Sequence, residues 1–117
     1  MNVLIVEDEG IIALFLSKSI ERMGYTVAAV TASGEEACTL AASHRPDCIL
    51  MDVALAGTID GIDAAECIRR DLAVPIIFTT AYDTDEVRRR AAGVSQSLFL
   101  PKPVSPEVLQ QTLADLG

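Results

Sequence analysis

The sequence predicts an α/β fold in which five βα units in series build a parallel sheet with helices on both faces. Three observations carry this expectation. Short apolar runs such as Val3-Leu4-Ile5-Val6 and Cys48-Ile49-Leu50-Met51 continue without polar alternation, as in strands buried on both sides. Between the runs, apolar residues recur at helical spacing. Capping residues, glycines and prolines mark the boundaries. This alternation, with right-handed crossovers, gives a sheet wound on both faces.

The first strand is residues 3–6. Ile11, Ile12, Phe15, Leu16 and Ile20 then recur at helical spacing and stop at Gly24, a helix-ending residue. Residues 25–30 read as a second strand. Ser33, with Glu36 three residues on, forms a capping box that opens a helix through residue 43. Arg45-Pro46-Asp47 breaks it, and residues 48–52 form the third strand. A Gly-containing loop leads to a helix over residues 61–71, and Pro75 precedes a fourth strand at residues 76–80. Asp83-Thr84-Asp85-Glu86 opens a short polar helix carrying Arg88, Arg89 and Arg90, which Gly93 ends. The fifth strand is residues 97–100, and Ser105-Pro106-Glu107 starts the last helix with proline in its first turn.

With 117 residues, 50% of them hydrophobic and 22% charged, the chain is read as one domain over residues 1–117 with a real core. A formal charge of -8 argues against unaided nucleic-acid binding and against anionic membrane surfaces. No stretch approaches the roughly 18 to 20 apolar residues of a membrane span, and no signal-peptide pattern precedes the first strand. The cytoplasm is the expected location. Cys38, Cys48 and Cys67 lack CxxC spacing and are read as ordinary thiols, buried or half-buried. His44, near a helix end, is read as structural or surface, and the arginine run as a solvated helix face. Ile11 to Leu16 is apolar over more than one stripe. Core packing is its first reading and a homodimer surface the second.

Chemistry concentrates at strand ends. Glu7-Asp8 closes the first apolar run, Asp52 the third, and Lys102 follows the fifth. In a parallel sheet these groups converge on the carboxyl edge, where open α/β sheets bind ligands. Three carboxylates and one ammonium there suit a divalent cation and a phosphoryl group. The strand motif running from Val3 to Glu9, Leu50-Met51-Asp52, Thr79-Thr80-Ala81 and Leu100-Pro101-Lys102-Pro103 together closely resemble the receiver domain of two-component response regulators. The resemblance spans the whole chain and implies a flavodoxin-like (βα)5 sheet of order 2-1-3-4-5.

An aspartate carboxylate is a competent nucleophile toward a phosphoryl group, and Asp52 is the candidate acceptor. Mg²⁺ favours oxygen ligands, one or two of them carboxylates, and Asp8 with Asp52 meets that demand. The resemblance adds Glu7 and the Ala54 carbonyl as metal partners, Lys102 as a charge on one phosphate oxygen and the Thr80 hydroxyl as donor to another. Each residue has a plainer use when taken singly: a helix-favouring acidic pair, a turn aspartate, a surface lysine, a strand threonine. Their co-occurrence at four strand ends favours the site.

By the same resemblance Thr80 and Phe99 are the switch pair, acting on the surface of helix four, strand five and helix five. The Lys102–Pro103 peptide is expected to be cis, and Ala54 and Tyr82 to tune loss of the phosphoryl group. Two departures stand out: Ala56 replaces the usual loop proline, and the loop before Asp60-Gly61 is one residue longer than the common form. A shifted or more mobile metal-side loop is the expectation. The implied function is a phosphorylation switch, not a turnover enzyme, fed by a sensor histidine kinase or phosphotransfer protein and acting on an output protein. It is read either as stand-alone or as part of a larger regulator. A docking receiver without phosphorylation and a small Mg²⁺-dependent phosphohydrolase are the alternatives.

Overall fold

A computed structural model describes residues 1–117. Ten elements alternate along the chain: β1 (Asn2–Val6), α1 (Gly10–Arg22), β2 (Thr26–Thr31), α2 (Gly34–His44), β3 (Cys48–Asp52), α3 (Gly61–Arg69), β4 (Ile76–Thr80), α4 (Asp85–Ala92), β5 (Ser97–Pro101) and α5 (Pro106–Leu116). The strands form one sheet of order β2-β1-β3-β4-β5, every pairing parallel. The flavodoxin-like order is therefore as expected.

Period-two side-chain alternation divides the central strands between two cores. Leu4, Val6, Ile49, Met51, Ile76 and Phe78 pack with the buried residues of α2 and α3 and with Ala91 of α4. Val3, Ile5, Cys48, Leu50 and Ile77 face the other way, against Leu16 and Ile20 of α1 and Leu109 and Leu113 of α5. Nearly every residue of β1, β3 and β4 is buried, whereas the edge strands β2 and β5 are half-exposed.

Local signals end the helices much as read. Gly24, at φ +88°, closes α1: its N–H reaches Glu21 O and the Tyr25 N–H reaches Ile20 O, a paired C-terminal closure that favours glycine. The Ser33, Thr84 and Ser105 side chains each accept the N3 amide of the helix they open. The third helix stops at Arg69, two residues short of the expected end. There the Arg69 guanidinium donates to the carbonyls of Leu72, Ser95 and Gln96, turning the chain toward β4 and fastening it to the start of β5.

The first reading of α1 is corrected. Ala13, Leu16 and Ile20 are buried, but Ile11 is 86% exposed, and Leu14 and Phe15 also face outward. A helix at 3.6 residues per turn offers the sheet only one stripe, so an all-apolar first half leaves part of itself uncovered.

Candidate functional site

Parallel pairing brings the carboxyl ends of β1, β3, β4 and β5 to one edge. Glu7 and Asp8 directly follow β1, Asp52 ends β3, Thr80 ends β4, and Lys102 directly follows β5. Oxygen atoms of Glu7, Asp8 and Asp52 lie within 4.8 Å of one another. Lys102 Nζ donates to Glu7 Oε1 at 2.7 Å and to Asp52 Oδ2 at 3.2 Å. Glu7 and Asp52 are buried and Asp8 is exposed, so the pocket opens on the Asp8 side.

Backbone contacts set these side chains. The Glu7 N–H donates to Thr31 O and the Lys102 N–H to Thr80 O at 2.8 Å, which ties each functional loop to a neighbouring strand. Glu7 Oε2 accepts the Glu9 amide, and Asp52 Oδ1 accepts the Ala54 amide at 3.2 Å. The Lys102–Pro103 peptide is cis.

Electrostatics at the edge are crowded. Burial, then the adjacent Glu7 carboxylate, pushes the Asp52 carboxyl up to about 7, with Lys102 opposing. Burial works most strongly against ionised Glu7, but the hydrogen bonds from Lys102, Asp52 and the Glu9 amide, with the charge of Lys102, together outweigh it and hold Glu7 below the usual carboxylate range. Two buried carboxylates and a third beside them face a single ammonium. That excess of negative charge on hard oxygen donors fits a divalent cation.

Thr80 is fully buried, and its Oγ1 accepts the Tyr82 amide at 3.0 Å. The Tyr82 side chain is 66% exposed at the rim. Phe99 is half-buried on β5, with the Arg88 guanidinium 4.6 Å from its ring centroid. Arg88 also pairs with Asp83. Arg90 pairs with Asp60 and Asp63. The arginine run is thus only partly a plain solvated face. His44 ends α2, exposed and bonded to Leu40 O and Ser43 Oγ, far along the fold from the carboxyl edge.

The loop from Val53 to Asp60 holds what sequence reasoning missed. Glu35, in the first turn of α2, accepts from Thr58 and Ile59. Nothing in the sequence signals a contact spanning 23 residues. The Asp60 cap of α3 is different: Asp60 and Asp63 form a reciprocal capping box, readable from their spacing. The loop expected to be shifted or more mobile is thus held by Glu35 at Thr58 and Ile59 and closed by the Asp60 cap.

The sequence model of the response regulator receiver domain family matches residues 3–114. The transcriptional regulatory protein PdtaR of Mycobacterium tuberculosis is 37% identical over 104 residues, covering 89% of this chain and 50% of PdtaR. The positive alginate biosynthesis regulatory protein of Pseudomonas aeruginosa is 40% identical over 116 residues, covering 97% of this chain and 46% of that protein. The chain therefore spans about half the length of these relatives. Among solved structures, the signal receiver domain of a modulated diguanylate cyclase from Desulfovibrio desulfuricans superposes with a TM-score of 0.90 at 36% identity, covering 98% of this chain and 91% of that one. Fold, strand-end chemistry and sequence agree, and the chain belongs to the receiver domain family of two-component response regulators.

Proposed function

We propose that the chain is a cytoplasmic phosphorylation switch in which Asp52 accepts a phosphoryl group from the phosphohistidine of a sensor histidine kinase or phosphotransfer protein. The observation that carries this reading is the ammonium of Lys102 held between two buried carboxylates, 3.2 Å from Asp52. An Asp52 carboxylate oxygen attacks phosphorus as the P–N bond to the donor imidazole breaks. Lys102, already beside that oxygen, moves with it to a phosphoryl oxygen and offsets its charge. The Thr80 hydroxyl accepts the Tyr82 amide, which leaves its own proton for another phosphoryl oxygen. Asp8, Asp52, Glu7 and the Ala54 carbonyl are the residues that would hold Mg²⁺. When bound, Mg²⁺ supplies positive charge to the transferring group.

Output follows from what surrounds Thr80. As Thr80 moves toward the phosphoryl group, space opens for Phe99 to turn inward. That movement takes the ring from beneath Arg88, a contact worth roughly 0.5–1 kcal/mol at exposed sites. Partner docking is supported by the outward Ile11, Leu14 and Phe15 of α1. An apolar groove of about 370 Å³ between Phe15, Ala81, Pro103 and Val104 adjoins Lys102. A partner helix presenting its histidine at Asp52 would cover them, and a second copy of the chain is the competing occupant. No helix is long and apolar enough to cross a membrane.

Intact mass after incubation with Mg²⁺ and acetyl phosphate, beside Asp52→Ala, tests the proposal. One phosphoryl adduct requiring both Mg²⁺ and Asp52 supports the switch. No adduct points to a docking module, and sustained turnover of a generic phosphate ester points to a phosphohydrolase.

A further inference from the structure

The loop carrying Ala54 is longer than usual, yet it is fastened at both ends. On one side the Val53 N–H donates to Thr79 O at 3.0 Å and the Gly61 N–H to Val53 O at 2.8 Å. On the other, residues 56–59 lie against the first turn of α2. Ser33 and Ala56 form an isolated parallel bridge. One oxygen, Glu35 Oε1, accepts the Thr58 amide at 3.1 Å, the Thr58 hydroxyl at 2.7 Å and the Ile59 amide at 3.2 Å. Hydrogen bonds to an ionised acceptor are the stronger kind.

Two glycines make this approach possible. Gly57 adopts φ +102°, where a Cβ would also come within 3.0 Å of Glu35 Oε2. A Cβ on Gly34 would come within 2.9 Å of Ile59 Cγ1. The loop and the turn are therefore fitted to one another. Behind them α2 is anchored by buried Ala37 and Ala41.

We propose that Glu35 is a positioning residue for the acceptor site: it latches the elongated β3–α3 loop to α2 and so holds the Ala54 carbonyl where a Mg²⁺ ion at Asp8 and Asp52 needs it. This rests on the proposed reading of that site. Without the latch, residues 57–59 lose their side-chain tie to α2, so more of the loop is left to be ordered when metal binds, and that ordering entropy is subtracted from metal affinity.

The test is Mg²⁺ titration of the chain, followed by amide chemical shifts of Asp52 to Ala54, with amide exchange of Thr58 and Ile59 measured in metal-free protein. Glu35→Ala should bind Mg²⁺ roughly tenfold more weakly, the low end for residues that support metal ligands, and should exchange both amides faster. Glu35→Gln removes the same charge but keeps the accepting oxygen. It should stay within about threefold of wild type, the size of a modest hydrogen-bond difference. Thr58→Val, which leaves Glu35 in place, should shift affinity in the same direction by less, and it decides the matter if Glu35→Ala folds poorly. Wild-type affinity in Glu35→Ala overturns the latch. So does a Glu35→Gln variant as weak as Glu35→Ala, because long-range charge would then explain both. If the wild type binds no Mg²⁺ and forms no adduct with acetyl phosphate, the reading of the site itself fails. A normal wild type beside an unaffected Glu35→Ala removes only the latch.

Discussion

Arg90 of α4 grips both carboxylate oxygens of Asp60, at 2.7 and 3.3 Å, and reaches Asp63 at 3.3 Å. Asp60 is also the N-cap of α3, accepting the Asp63 amide at 2.8 Å. One carboxylate therefore ends the loop that starts at Asp52, begins a helix and fastens that helix to α4.

These two duties separate by mutation. Asp60→Ala should cost about 1–2 kcal/mol of stability, because it removes both a cap worth about 1 kcal/mol and the ion pair. Arg90→Ala leaves the cap and removes only the half-exposed pairs with Asp60 and Asp63, so it should cost about 0.2–1 kcal/mol. Asp60→Asn, which still caps, should fall near Arg90→Ala. Urea unfolding measures all three, and equal losses for Asp60→Ala and Arg90→Ala would contradict the division.

The same pair sets a pH dependence. Burial disfavours ionised Asp60, but hydrogen bonds from Arg90 and the Asp63 amide outweigh it and hold the carboxyl below its ordinary value. A lowered folded-state pKa stabilises the fold above the unfolded value of about 3.9, and the gain is lost as pH falls through the folded value. The stability gap between wild type and Arg90→Ala should therefore be constant above about pH 5 and close on acidification toward about pH 2. Thermal melts across that range measure it. A gap undiminished at the acid end would show that Arg90 acts through packing.

Gly61→Ala should be among the most damaging single changes in the chain. A Cβ there would sit 2.0 Å from the Asp52 carbonyl oxygen and 3.0 Å from Met51 Cγ. The obstacle is backbone, which cannot swing aside as a side-chain tip does. Overpacking of this kind typically costs about 1–3 kcal/mol and sometimes more. It should also displace Asp52, so phosphoryl uptake should fall further than stability does. Denaturant unfolding and intact mass on the same sample would separate the two effects.

Tyr82 stands at the rim with its amide bonded to Thr80 and its ring largely in solvent. Once Asp52 is phosphorylated, the ring should restrict the approach of water. Tyr82→Ala should then lose the phosphoryl group several-fold faster, while Tyr82→Phe, keeping the bulk, should resemble wild type. Following the adduct by mass over time measures this. Equal or slower loss in Tyr82→Ala would count against shielding.

The strand-end groups were readable because each sits at the carboxyl end of an apolar run. Glu7 and Asp52 need only parallel pairing to meet, and parallel pairing is what βα alternation imposes. Boundaries were less legible where a distant group decides them. The end of α3 depends on carbonyls of Ser95 and Gln96 accepting from Arg69, contacts that leave no local trace in residues 61–71.

By itself, the sequence determined the elements, their parallel arrangement and the residues that share the carboxyl edge. These follow from periodicity, caps and alternation, which act over a few neighbouring residues. Only the tertiary structure decided that Ile11, Leu14 and Phe15 face solvent, that Arg88 covers Phe99, that Arg90 holds Asp60, and that Glu35 holds the loop at Thr58 and Ile59. Each of these depends on which elements become neighbours and how far side chains reach between them. Hydrophobic spacing identifies a residue as apolar, but the width of the surface opposite decides whether it is buried.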